Sequence, residues 1–159
     1  MGKQQKIPEL ILPLVNKYIK TTIRIMKPIK QEDGLGCAVA CVAFVLNISY
    51  QEALRLFTDG QIRVREKANF YCPEIVEILN SKGLKYRWQK LGKKPIKEIY
   101  SDYSIVFIKR SENYPYGHFL ARYKNKWMNP WINLPDKNIK AGFQDILREE
   151  PTYVIYRSL

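Results

Sequence analysis

Ten consecutive residues, Cys37-Ala-Val-Ala-Cys-Val-Ala-Phe-Val-Leu46, carry no charge and no polar amide or hydroxyl, and a run of that kind has to be buried. It is half the length of about 20 residues that spans a bilayer, so the rest of the chain must cover it. Such a run fits a buried helix or a buried strand. Its length and its alanines favour helix, with Asn47 as the stop. Directly upstream lies Pro28-Ile-Lys-Gln-Glu-Asp-Gly-Leu-Gly36, polar and glycine-bearing, which reads as a loop. The junction therefore puts Cys37 in the first turn of the predicted helix.

The segments around this run sort into two halves. Residues 50–57 read as a second helix, with Ser49 as cap and Glu52 completing a capping box. Residues 73–79 read as a third, with Pro73 in the first turn and Lys82-Gly83 closing it. Upstream, apolar spacing predicts a helix over 8–20, and the β-branched alternation of 21–26 predicts a strand. Beyond Gly83 the texture changes to strands over 84–88, 104–108 and 152–157, a short helix over 96–100, and a hairpin made of 118–123 and 126–129. The expected class is α+β, an N-terminal helical half packed on a C-terminal antiparallel sheet. Nothing repeats at a fixed period and no low-complexity linker divides the chain. Residues 1–20 are expected as an extension and 21–159 as one domain, long enough to bury a core.

Charge narrows the partners. The 27 basic and 15 acidic residues give +12, an excess that attracts nucleic acid, anionic membrane or acidic protein. No block of five or six basic residues occurs. That reads as a solvated basic surface able to meet an acidic partner rather than as a nucleic-acid footprint. The aromatic residues are no counter-argument, because Phe44, Phe57 and Phe107 fall in apolar runs and read as core. No membrane span and no secretion signal are read, and Lys6 stands where a myristoylation motif has Ser or Thr. An odd cysteine count argues against a disulfide framework, so the expected setting is reducing and cytoplasmic.

Four residues point to acyl-transfer chemistry. A thiol at a helix N-terminus feels unpaired N–H groups and the positive end of the dipole, so the Cys37 pKa is expected below about 8.5. Gly34 and Gly36 leave room beside the sulfur for a carbonyl. The chain has one histidine, His118, at the start of a predicted strand after Tyr114-Pro-Tyr-Gly117, and a thiol nucleophile needs such a base. With a two-residue turn at Lys124-Asn125 or Asn125-Lys126, strand parity puts Asn129 on the same face as His118. That is a Cys-His-Asn arrangement, with Asn129 orienting the imidazole. Gln31, six residues before Cys37, can join the Cys37 backbone N–H in holding an oxyanion. Gly36, Tyr116, Gly117 and Trp131 are expected to line the substrate cleft. No metal or other cofactor is required.

Gln31-Glu-Asp-Gly-Leu-Gly-Cys37-Ala-Val-Ala-Cys41 resembles the Gln-x5-Cys-x-x-Ala-Cys segment of the bacteriocin-leader-processing (double-glycine leader) peptidases and their stand-alone relatives. Gly117-His-Phe119 resembles their histidine strand, and Asn129-Pro130 their Asp-Pro. The resemblance covers residues 21–132 and implies a papain-like fold, a cysteine peptidase working through a thioester, and a peptide or protein substrate. Two departures stand out. Asn129 replaces the usual Asp, although papain carries Asn there, and Gly36-Cys37-Ala38 replaces Asp-Cys-Gly. Cysteine peptidase chemistry is thus implied more firmly than double-glycine cleavage, and no transporter role is supported.

Other readings start from the same residues. Cys41, one turn on from Cys37, reads as core, and Cys72 before Pro73 is a second, less equipped thiol. Three cysteines with one histidine are the ligand set of a Cys3His zinc site, against which stands the Cys-x3-Cys spacing inside a helix. A catalytically silent peptide-binding module, or a thiol deamidase or transpeptidase, would keep the same four residues.

Overall fold

The charge-free run is the helix its composition predicts, and it is the centre of the molecule. In a computed structural model that describes residues 25–94 and 96–158, α1 (Cys37–Leu46) has Ala38 to Phe44 wholly removed from solvent. Asn47 ends it in the left-handed region, φ 54° and ψ 49°, its N–H turned back onto the carbonyls of the last turn. The helix expected over 8–20 lies outside the described residues. So does most of the strand expected over 21–26, and Ile25 and Met26 belong to no regular element.

Three further helices surround α1. α2 (Tyr50–Leu54) begins on the expected capping box: Glu52 N–H donates to Ser49 Oγ at 3.1 Å and Ser49 N–H to Glu52 Oε2 at 2.8 Å. It stops short of Phe57, because the chain tightens into i→i+3 turns through Leu56 and Phe57. α3 (Gly60–Glu66) was not expected; only Gly60 and Val64 of its residues are buried, so it carries no apolar stripe to read. α4 (Cys72–Ser81) has Pro73 in its first turn, as expected. Arg63 on α3 forks onto both carboxylate oxygens of Glu74 on α4, each at 2.7 Å, which ties these two helices together.

The second half is one antiparallel sheet. Its strands are β1 (Tyr86–Lys90), β2 (Ile105–Ile108), β3 (His118–Tyr123), β4 (Lys126–Asn129), β5 (Gly142–Gln144) and β6 (Tyr153–Arg157), in the order β1-β6-β2-β3-β4-β5. β1 lies two residues later than expected, the segment 96–100 is a 3-10 turn over Lys97–Tyr100, and β5 was not expected. The hairpin is as read: Tyr123 pairs with Lys126 across Lys124-Asn125, whose φ values of 45° and 62° make a primed turn.

Both faces of the sheet are covered. Ile105, Phe119, Ala121, Met128 and Ile155 pack with the helices, while Val106, Ile108, Leu120, Trp127 and Val154 build a second core with Ile99 and Tyr114. The alternation follows the two-residue period of a strand. It explains why β3 reads as a continuous apolar run from Phe119 to Ala121. Among the described residues no helix is long and apolar enough to cross a membrane.

Candidate active site

The helical half and the sheet meet in a cleft of about 1260 Å³, and Cys37 and His118 both open onto it. On the helical side the nucleophile candidate is presented by the loop before α1. Gln31 N–H reaches Pro130 O at 3.2 Å, Leu35 N–H reaches Val64 O at 2.9 Å, and Gly36 N–H turns back to Asp33 O at 3.1 Å. The Tyr50 hydroxyl, donating to Asp33 Oδ2 at 3.2 Å, lies over Gly36 so closely that a Cβ there would stand 2.0 Å from its oxygen. Gly36 is thus required, but for a reason other than the one expected. It is buried under Tyr50 and does not line the cleft; Gly34 does.

The thiol differs from expectation as well. Burial pushes Cys37 up to about 11, and this outweighs the N–H groups of Phe119, Ala38 and Cys37 itself, which act to lower it. The helix N-terminus is present, but desolvation of a thiolate is the larger effect here. The resting group is therefore a thiol, with the backbone N–H of Phe119, the residue after His118, against its sulfur. Cys41 sits below it in the core, fully buried.

On the sheet side the geometry is set by hydrogen bonds. His118 Nε2 lies 2.7 Å from Asn129 Oδ1, and Trp131 N–H donates to the same oxygen at 3.0 Å. Because a backbone N–H can only donate, the atom facing both groups is the amide oxygen. His118 Nε2 must then carry the proton, and in the neutral ring Nδ1 keeps its lone pair. Burial lowers the His118 pKa to about 4 against the opposing pull of the Asn129 bond, so the ring is neutral at ordinary pH. Tyr114 stacks on the imidazole with centroids 4.8 Å apart and planes 2° from parallel. Gly117, at φ +75°, brings the chain past Phe107 into His118; a Cβ there would be 2.5 Å from the Phe107 ring.

Gln31 is where the sequence puts it, in the loop facing the cleft, but its amide is occupied differently. Its Nε2 donates to Asp33 O at 3.0 Å and Gly34 O at 3.1 Å, and its buried Oε1 has no partner among the described residues. Tyr116, Gly117 and Trp131 line the cleft. So do Phe107, read from the sequence as core, and Cys72, whose thiol burial also raises to about 11. The zinc alternative is not assembled: among the described residues no three His, Cys, Asp or Glu side chains converge to hold a metal ion.

Two supports went unread in the sequence. The ring stack of Tyr114 needs the tight turn in which Gly117 N–H bonds Tyr114 O at 2.9 Å. Gln144, on the unexpected β5, accepts from Asn129 Nδ2 at 2.7 Å. The second leaves no local pattern, since Gln144 is 15 residues from its partner.

Among solved structures, this arrangement of helices and sheet is similar to the peptidase domain of Streptococcus ComA, a bi-functional ABC transporter involved in a quorum sensing pathway. The TM-score is 0.50 at 17% identity, over 83% of this chain and 97% of that domain. The likeness is one of fold. No protein-family model matches the chain, and no curated protein matches it.

Proposed function

We propose that the protein is a cysteine peptidase, with Cys37 as nucleophile, His118 as general base and acid, and Asn129 as the group that orients the imidazole. The observation that carries this reading is the His118–Asn129 pair. Its bond, its direction and its stack leave one ring nitrogen, Nδ1, unprotonated, and His118 lines the same cleft as Cys37. The fold likeness to a peptidase domain supports it independently.

In the proposed reaction the Cys37 thiol gives its proton to His118 Nδ1 as sulfur attacks the substrate carbonyl. The imidazolium then returns that proton to the leaving amine, the C–N bond breaks, and a thioester remains. Water, deprotonated by His118, attacks the thioester and releases the acid and the thiol. With a thiol near 11 and an imidazole near 4, the resting site is a neutral pair, so nucleophile formation is coupled to attack rather than completed beforehand. The Cys37 N–H is the proposed oxyanion donor. Gln31 joins it only by releasing Asp33 O and Gly34 O and swinging its Nε2 toward the cleft, because a simple flip would set Oε1 against both carbonyl oxygens.

The test is labelling with peptides that end in a vinyl sulfone, followed by mapping of the added mass. Label should fall on Cys37, vanish in Cys37→Ala and slow at least tenfold in His118→Ala. Label on Cys72 instead, with no hydrolysis across a peptide library, would overturn the reading.

A further inference from the structure

Gln144 stands behind Asn129, outside the cleft lining. Its Oε1 accepts from Asn129 Nδ2 at 2.7 Å, and its own Nε2 donates to Ile146 O at 2.7 Å. We propose that Gln144 is a positioning residue that locks the direction of the Asn129 amide and, through it, the tautomer of His118.

The direction of every bond in this chain follows from a backbone group. Ile146 O can only accept, so the Gln144 amide must present its NH2 to it and its oxygen to Asn129. Trp131 N–H can only donate, so Asn129 must present oxygen on the opposite side, where His118 Nε2 also lies. A flipped Asn129 would put its NH2 against the Trp131 N–H and its oxygen against Gln144 Oε1. Both contacts would be repulsive in a buried place. It would also demand a lone pair on His118 Nε2, moving the ring proton to Nδ1 and removing the acceptor that the proposed base requires. Asn129 and His118 are each only 3% exposed, so water does not easily substitute for a partner lost at their end, whereas Gln144 is half-buried and its bond to Ile146 O is exposed, which makes that the weakest link.

The same geometry gives the Asn at position 129 a reason. A carboxylate there would set a second acceptor against Gln144 Oε1, and Gln144 can turn to meet it only by facing its oxygen to Ile146 O. Gln144 thus matches Asn129 and would oppose an Asp. The feature that departs from the resembled peptidases is paired with a second residue of this chain.

The chain's single histidine makes the claim directly measurable. In protein labelled with 15N-histidine, long-range 1H–15N correlation reports which ring nitrogen carries the proton. At neutral pH the wild type should show one ring, protonated on Nε2 and bare on Nδ1. Gln144→Met removes both the acceptor for Asn129 and the donor to Ile146. Gln144→Glu keeps an acceptor for Asn129 while losing the donor to Ile146 and setting a carboxylate oxygen toward Ile146 O, so comparing the two variants tests the contact to Asn129. The expected result is tautomer mixing in Gln144→Met and a single Nε2–H form in Gln144→Glu. Should Gln144→Met not fold, Gln144→Ala against Gln144→Glu makes the same comparison.

The kinetic consequence rests on the peptidase reading: kcat, not KM, falls about 3- to 10-fold in Gln144→Met and returns to within about twofold in Gln144→Glu. An Nδ1–H ring in the wild type, or a Gln144→Met spectrum identical to wild type, overturns the proposal. Because the spectrum needs no substrate, failure to find any cleaved peptide would count against the peptidase reading and leave this one to be judged on the tautomer alone.

Discussion

On the helical wall of the cleft, Cys37 is placed by packing: an apolar helix buried from Ala38 to Phe44 beneath it, Tyr50 wedged over Gly36, and few directed contacts to the sulfur. On the sheet wall, His118 is placed by directed contacts, a ring stack and a run of amides whose every bond has a defined sense. Packing sets where the thiol sits and how poorly it is solvated, which raises its pKa. Hydrogen bonds set which nitrogen of the ring is bare. The comparison shows two different sensitivities at one site: the helical wall should respond to changes of volume, the sheet wall to changes of donor and acceptor.

The largest effect expected is chemical. Cys37→Ala should reduce peptide hydrolysis by roughly 10⁴-fold or more while leaving the fold intact, checked by initial rates and by thermal melting. A variant that keeps most of the activity would break the proposed division of labour.

The next effect concerns acid. His118 binds a proton near 6.5 when unfolded and near 4 when folded. The unfolded chain therefore holds more protons between those values, and stability is lost as pH falls from about 6.5 toward 4. Full expression of that shift is roughly 3 kcal/mol. Urea titrations should show the wild type losing stability across that window relative to His118→Gln, which has no group titrating there, so the difference between the two curves changes with pH. Parallel curves would show that the ring is not desolvated as described. Cys37 mirrors it at the alkaline end, its folded-state proton being held to about 11, so stability should fall as pH rises from about 9.

A smaller effect separates volume from polarity. Gly36→Ala should destabilise by about 1–3 kcal/mol because its Cβ meets Tyr50, itself buried and unable to swing away. Tyr50→Phe, which removes the oxygen at 2.0 Å, should recover part of that loss in the double variant even though it gives up the Asp33 contact. Simple additivity of the two changes would mean that the close approach is not what holds this position.

The smallest effect concerns charge. Arg65, Lys109, Arg110 and Arg148 line the cleft against Glu66 and Glu112. For an acidic peptide KM should rise a few-fold between low and 0.3 M salt, while a neutral peptide stays unchanged, because screening acts on exposed charges. Equal salt responses would remove acidic substrates from consideration.

Local rules made much of this legible in the sequence. The charge-free run, the Ser49–Glu52 box, the proline at α4 and a two-residue turn between β3 and β4 each act over a few residues and are legible in composition and spacing, although the choice of Lys124-Asn125 over Asn125-Lys126 came from the structure. Strand parity brought His118 and Asn129 to one face for the same reason. α3 and β5 escaped because neither carries an apolar period: α3 buries two residues and β5 none completely.

By itself, then, the sequence determined the α+β division, the helix that bears Cys37, and the pairing of the single histidine with Asn129. Only the tertiary structure decided the protonation of the site and the role of its neighbours. Desolvation depends on everything packed around a group, so the dipole at the start of α1 did not predict a thiol near 11. The orientation of an amide depends on partners far along the chain, such as Gln144 for Asn129, and no window of sequence contains both ends of that bond.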